Sequence, residues 1–301
     1  MIRYQTDLTE LEKAAQRVKP GWKTRANART TTFAKRGRYE EESSIWSQIK
    51  DVFIELQRNK CAYCERKLES KKEYDVEHFR PKTSVKPWPV SSDLASKGVV
   101  VCQPADGTKE LGYHLLAYHL QNYSVACAKC NSELKSDYFP ISGKRDASGA
   151  DPVALTRTEK PFLLFPLGDF DDDPEEIIWF RGPTPQTVAR PGTHRHHRGL
   201  LTIAFFKLDD QKKRKELFRG RLNVIQKMGL AFMRLNDAGA PAATKDRCRR
   251  IIDYHQSPDA AHTACGRHYA ELWRVDPIKA EDIWNDAVDA LDKMSPLKVR
   301  T

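Results

Sequence analysis

The sequence predicts an α+β protein in which a small cysteine-stapled module of short strands and turns is set in a mainly helical chain. Three observations point there. Two matched Cys-x-x-Cys pairs, Cys61/Cys64 and Cys127/Cys130, are separated by 62 residues. The stretch between them breaks into short runs interrupted by Pro81, Pro87 and Pro89. Elsewhere apolar residues recur at helical spacing, and that pattern dominates from about Asp209 to near Met294.

The elements follow in order. Leu8, Leu11, Ala15 and Val18 lie at helical spacing behind Thr6, a candidate N-cap, and predict an amphipathic first helix over 6–18. The basic segment after it reads as irregular. Ile45, Trp46, Ile49, Val52, Phe53 and Leu56 predict a second helix from about Glu41 to Arg58 that delivers the chain to the first cysteine pair. Residues 85–112 mix Ser, Gly and Asp with the β-like run Val99–Cys102 and read as an insertion. Tyr113 to Leu120 fits a helical turn, and short extended pieces around an acidic turn are expected after Pro140. The resulting division is a helical and basic segment at 1–58, a core at 59–145 and a mainly helical region at 146–301.

Composition bounds the function. At 301 residues the chain can bury a core without disulfides. Seven cysteines, an odd number, in a sequence whose N-terminus has no apolar signal region point to thiolates that hold a metal in a reducing compartment. A cytoplasmic location is expected, with no membrane span. The formal charge is +10, and it is uneven. Lys13 to Tyr39 holds nine Lys or Arg and no acid, and His194 to Arg221 holds nine against three acids. Lys23, Arg25, Arg29, Lys35, Arg36 and Arg38 in the first run, with Arg195 and Arg198 in the second, are candidate phosphate contacts, and DNA is the expected partner. A solvated charged face is the plain alternative for either run.

Four thiolates are the full tetrahedral set of a structural zinc, so one Zn²⁺ per chain is expected on Cys61, Cys64, Cys127 and Cys130. Inside that clamp lies Glu73–Lys82, EYDVEHFRPK; Asn122 precedes the second pair and Asn131 follows it directly. Phosphodiester hydrolysis needs a base for water, a hard cation to offset charge on the phosphate, and a group that aims the base. Glu77, His78, Asn122 and Asn131 are the residue types for those roles.

These residues resemble the HNH, or ββα-metal, endonucleases in their four-cysteine zinc variety. The resemblance implies a zinc-stapled ββα-metal core with His78 as general base, Glu77 and Asn131 as ligands of a catalytic Mg²⁺ or Mn²⁺, and Asn122 as the residue that orients the base. EHFRPK, LLAYHLQN, CAKCN and PFLLFPLGDFDDDPEE extend it to the HNH subunit of Septu-type anti-phage systems and related retron-associated effectors, over roughly residues 50–225. That implies a defence effector cutting DNA with little sequence specificity, beside an SMC/ABC-like ATPase or another subunit of such a system. Glu77 departs from the Asp of many HNH proteins.

Alternatives stand beside this reading. The same cysteines and basic runs would serve a zinc-dependent adaptor with an inactive core, and the chemistry does not separate DNA from RNA. Asp75 is either a second ligand of the catalytic metal or a surface carboxylate paired with Arg80 or Lys82. His114 and His119 lie close to Asn122, where packing is the simpler role. Lys135, on the helix expected to close the motif, is a phosphate contact or a solvated lysine. The run His194–Arg198 reads as an exposed loop, His262, Cys265 and His268 as helix packing, Cys102 and Cys248 as small buried residues, and the acidic run at 169–176 as a solvated turn.

Overall fold

The computed structural model describes residues Met1–Met294. Helix α1 (Leu8–Val18) starts one residue later than the Thr6 cap requires. Its cap is Asp7, which accepts from the Glu10 amide while the Glu10 side chain accepts from the Asp7 amide, closing a capping box. The basic segment after it is helical, not irregular: α2 spans Trp22–Arg36 and starts at Gly21, whose left-handed backbone (φ 72°) turns the chain. Only Trp22, Ala26 and Phe33 of α2 are buried, too sparse a stripe to read as a period. Thr30, Thr31 and Thr32 bond back to the carbonyls of Ala26, Asn27 and Ala28, so their hydroxyls do not compete with the helix. The second helix is shorter than its apolar pattern: Trp46–Ile49 forms a 3₁₀ turn, and α3 covers Lys50–Leu56.

Strand β1 (Tyr74–His78) pairs antiparallel with β4 (Tyr123–Cys127), from Tyr74 opposite Cys127 to His78 opposite Tyr123. Between them β2 (Ser84–Val85) pairs with β3 (Glu110–Leu111), and α4 covers Ser92–Ser96. The run Val99–Cys102 forms no strand: Val100 is exposed, and so is Cys102, contrary to its expected burial. After β4 the chain winds into a π-helical turn, Lys129–Lys135, that ends at Ser136 with a positive φ of 42°. Helix α5 (Pro152–Glu159), capped by Asp151, had no periodic signal. Its Glu159 is fully buried and pairs with the equally buried Arg80 at 3.0 Å.

The second half is helical, as its periodicity indicates, except for a hairpin of β5 (Ile178–Arg181) and β6 (Thr184–Thr187). Helices α6 (His194–Phe205), α7 (Lys215–Asn236), α8 (Ala242–Gln256), α9 (Thr263–Val275) and α10 (Pro277–Met294) follow. The expected loop at 194–198 is the first turn of α6, capped by Thr193. The acidic run is only partly solvated, because Arg198 is buried and pairs with Asp171 at 2.6 Å. No helix among the described residues is long and apolar enough to cross a membrane.

His268 on α9 carries a testable acid sensitivity. Its ring stacks on Trp179 at 3.9 Å, and its Nδ1 accepts from the Phe180 amide at 3.0 Å, so the ring must be neutral at that nitrogen. Burial holds its pKa down at about 4. The unfolded chain, with histidine near 6.5, takes up the proton first. The stabilisation is therefore complete above pH ~6.5 and is lost as pH falls towards ~4. Replacing His268 by Asn, which keeps an acceptor, should flatten the decline in denaturation midpoint between those pH values. An unchanged slope would exclude this role.

Candidate metal and nuclease site

The four cysteine sulfurs, brought together from two distant turns, lie within 4.8 Å of one another, and all four residues are buried. The Cys64 and Cys127 sulfurs are 3.9 Å apart, close to the ~3.8 Å edge of a tetrahedron with Zn–S of about 2.3 Å. The donor set therefore fits a zinc ion. The first cysteine turn docks on the outer edge of β4: the Ala62 amide donates to the Val125 carbonyl, and the buried Gln57 side chain both donates to and accepts from the Val125 backbone. The Arg214 guanidinium donates to the Cys130 sulfur at 3.5 Å. Burial opposes its charge, but Cys130 and Cys64 hold its pKa up. Among the described residues, these cysteines are the single group of three or more His, Cys, Asp or Glu side chains close enough to share an ion.

The strand pair and the helical turn after it run in the order strand, strand, helix. His78 closes β1. Its ring meets Trp46 and Tyr123 edge-on, each with centroids 4.9 Å away, and its Nε2 lies 3.1 Å from the Ala117 carbonyl. Burial, helped by the charge of Lys82, lowers its pKa well below the usual histidine value. Glu77 leaves the strand on the opposite face, as alternation requires. Its buried carboxylate lies 3.2 Å from the Lys135 ammonium and accepts from the Tyr63 hydroxyl at 3.3 Å. Burial raises its pKa, against the pull of Lys135.

Asn122 is fully buried, and its amide is spent on main chain. It accepts from the Arg80 amide at 2.8 Å and donates to the Arg80 and Leu116 carbonyls at 3.0 and 3.2 Å. It thus fixes the chain just beyond His78 and does not touch the imidazole itself. Asn131 is half-buried on the helical turn, and Asp75 meets, among the described residues, only the Ser132 hydroxyl, at 3.5 Å, not Arg80 or Lys82. His114 is buried and His119 accepts from the Gln121 amide; neither joins a metal cluster.

Two expected phosphate contacts are corrected. Lys135 is fully buried and is used on Glu77 and the His78 carbonyl. Arg198 is buried against Asp171 and Asp172, out of reach of a backbone phosphate at the surface. Others are already paired: the exposed Lys23 with Glu12, Arg38 with Glu40, and Arg195 with Asp172 and Glu176, and the half-buried Arg29 with Glu41. Arg25 bonds to Gln48 and Arg36 to the Glu40 carbonyl. Lys35 stays exposed on α2. The acid-free run from Lys13 to Tyr39 thus meets acids that lie outside it in sequence.

The residues missed in the sequence are the rings around His78: Trp46 and Tyr123 meet the imidazole, and Tyr39 and Tyr118, from separate segments, pack on Trp46, contacts with no local signature. Only the cysteine spacing signalled Arg214's surroundings, and nothing in the sequence placed Arg214 beside it.

Zinc is directly testable. The purified chain should contain one zinc per molecule, and Cys127→Ser should lose it along with much of its stability, since structural zinc in small sites contributes about 10–16 kcal/mol of binding free energy. Elemental analysis with a denaturation curve reads both. A metal-free Cys127→Ser variant of wild-type stability would contradict the clamp.

No protein-family model matches the chain, and no solved structure matches it. The chain is 27% identical over 217 residues to the Septu protein PtuB of Bacillus mycoides (strain KBAB4). The match covers 72% of this chain and 64% of that protein, so the chain spans just under two thirds of its relative's length.

Proposed function

We propose that the chain is an HNH-type endonuclease that hydrolyses DNA phosphodiester bonds with little sequence specificity, as the effector of a Septu-like anti-phage system. The observation that carries this reading is His78. A neutral imidazole ends a strand whose antiparallel partner runs into a four-cysteine cluster. The 27% identity to a protein named for the Septu system supports the defence context.

In this reading His78 takes a proton from the attacking water. Its Nε2 faces the Ala117 carbonyl and so carries the ring's proton, which leaves Nδ1 as the basic nitrogen, while Asn122 keeps the following backbone in place. The oxygen donors named for Mg²⁺ or Mn²⁺ do not fit as one set: Lys135 already neutralises Glu77, and only Asp75 and Asn131 lack a charged partner. The SMC/ABC-like ATPase partner belongs to the same proposal, through the Septu resemblance.

The test incubates wild type and His78→Ala with supercoiled plasmid, linear DNA and structured RNA, with and without an ATPase partner, in Mg²⁺, Mn²⁺ or EDTA. Wild type should cleave DNA, and His78→Ala should lose at least ~10²-fold in rate, the scale of a missing general base. The EDTA arm reads the need for a divalent cation. Equal behaviour of the two proteins would sink the proposal, and binding without cleavage would favour an adaptor.

A further inference from the structure

Lys82 lies four residues beyond His78 and is half-buried on the same side of the module. Its ammonium sits 4.7 Å from the Trp46 ring centroid and 5.4 Å from that of Tyr39. Trp46 in turn is the ring packed edge-on against His78. Lys82, Trp46 and Tyr39 are each half-exposed, so this aromatic recess opens to solvent beside the imidazole.

The neighbouring cations are neutralised at contact distance. Lys135 has Glu77, Arg80 has Glu159, Arg29 has Glu41, Lys86 has Asp137 and Arg145 has Glu110. Lys82 has no hydrogen bond and no ion pair among the described residues; Asp137, Glu77 and Glu41 act on it only from further away. Two ring faces hold the charge without quenching it, a weak hold that a phosphate oxygen can replace. An ammonium with three open donors is a strong partner for an anionic oxygen.

We propose that Lys82 is a catalytic residue that contacts the phosphodiester group presented to His78, with Trp46 and Tyr39 as its perch in the free protein. The ligand class is a nucleic-acid backbone phosphate. The proposal rests on the nuclease reading for its rate effect but not for its binding effect, which separates the two failures.

The experiment compares wild type, Lys82→Met and Lys82→Arg by titrating a short synthetic DNA duplex at several salt concentrations, then by cleavage. Lys82→Met keeps the stem on the rings and removes the charge. Its plot of log affinity against log salt should lose about 0.9 in slope, one phosphate contact, and Lys82→Arg should regain it. Cleavage by Lys82→Met should fall ~10²-fold, with zinc content and melting midpoint unchanged. If Lys82→Met does not fold, Lys82→Gln takes its place. An unchanged salt slope overturns the assignment whether or not the protein cleaves. Loss of slope in a chain that never cleaves keeps Lys82 as a phosphate contact and removes the nuclease reading instead.

Discussion

Four buried thiols gathered at one point are the constraint from which the rest of the module follows. Alone they are an unfavourable arrangement: burial pushes the Cys61 thiol up, while the hydrogen bonds from Cys130, Cys61 and Cys64 hold Cys127 far below the usual thiol range. A divalent cation removes the conflict by accepting all four as thiolates. The cluster then fixes two things together. It ties the end of β4, opposite the start of β1, to the first cysteine turn, and it starts the helical turn that carries Asn131 and Lys135.

Around that frame, polar groups do the positioning and aromatic groups the enclosing. Lys135 crosses from the helical turn to β1, where it meets Glu77 and the His78 carbonyl. A buried pair of this kind adds little net stability, but breaking one partner is costly, because an uncompensated charge stays behind. Asn122 stitches the chain beyond His78 to the segment before β4. Trp46 and Tyr123 cover the imidazole. Tyr63, between the two cysteines of the first pair, stacks on Phe206 at 4.1 Å and couples the module to the helical second half.

Local chemistry made part of this legible. Four cysteines in two matched pairs announce a tetrahedral site whatever their separation, and the helical second half showed in its apolar period. Pairings across long sequence distance stayed hidden. Arg198 reads as part of a basic run, yet Asp171 lies 27 residues away in sequence and 2.6 Å away in space. Lys135 reads as a surface lysine because nothing local shows the Glu77 carboxylate 58 residues earlier. Helix α2 hid for another reason: only three of its residues face the core, and its threonines weaken the helical signal.

The central claim is that the cysteine cluster holds the β1–β4 pair, and with it the recess around His78. Amide hydrogen exchange before and after removal of bound zinc by a chelator tests it most directly. Protection should be lost together across Tyr74–His78 and Tyr123–Cys127, while α7 stays protected. Unchanged protection in both strands after the zinc has left would show that the pair stands without its frame, and would contradict the account.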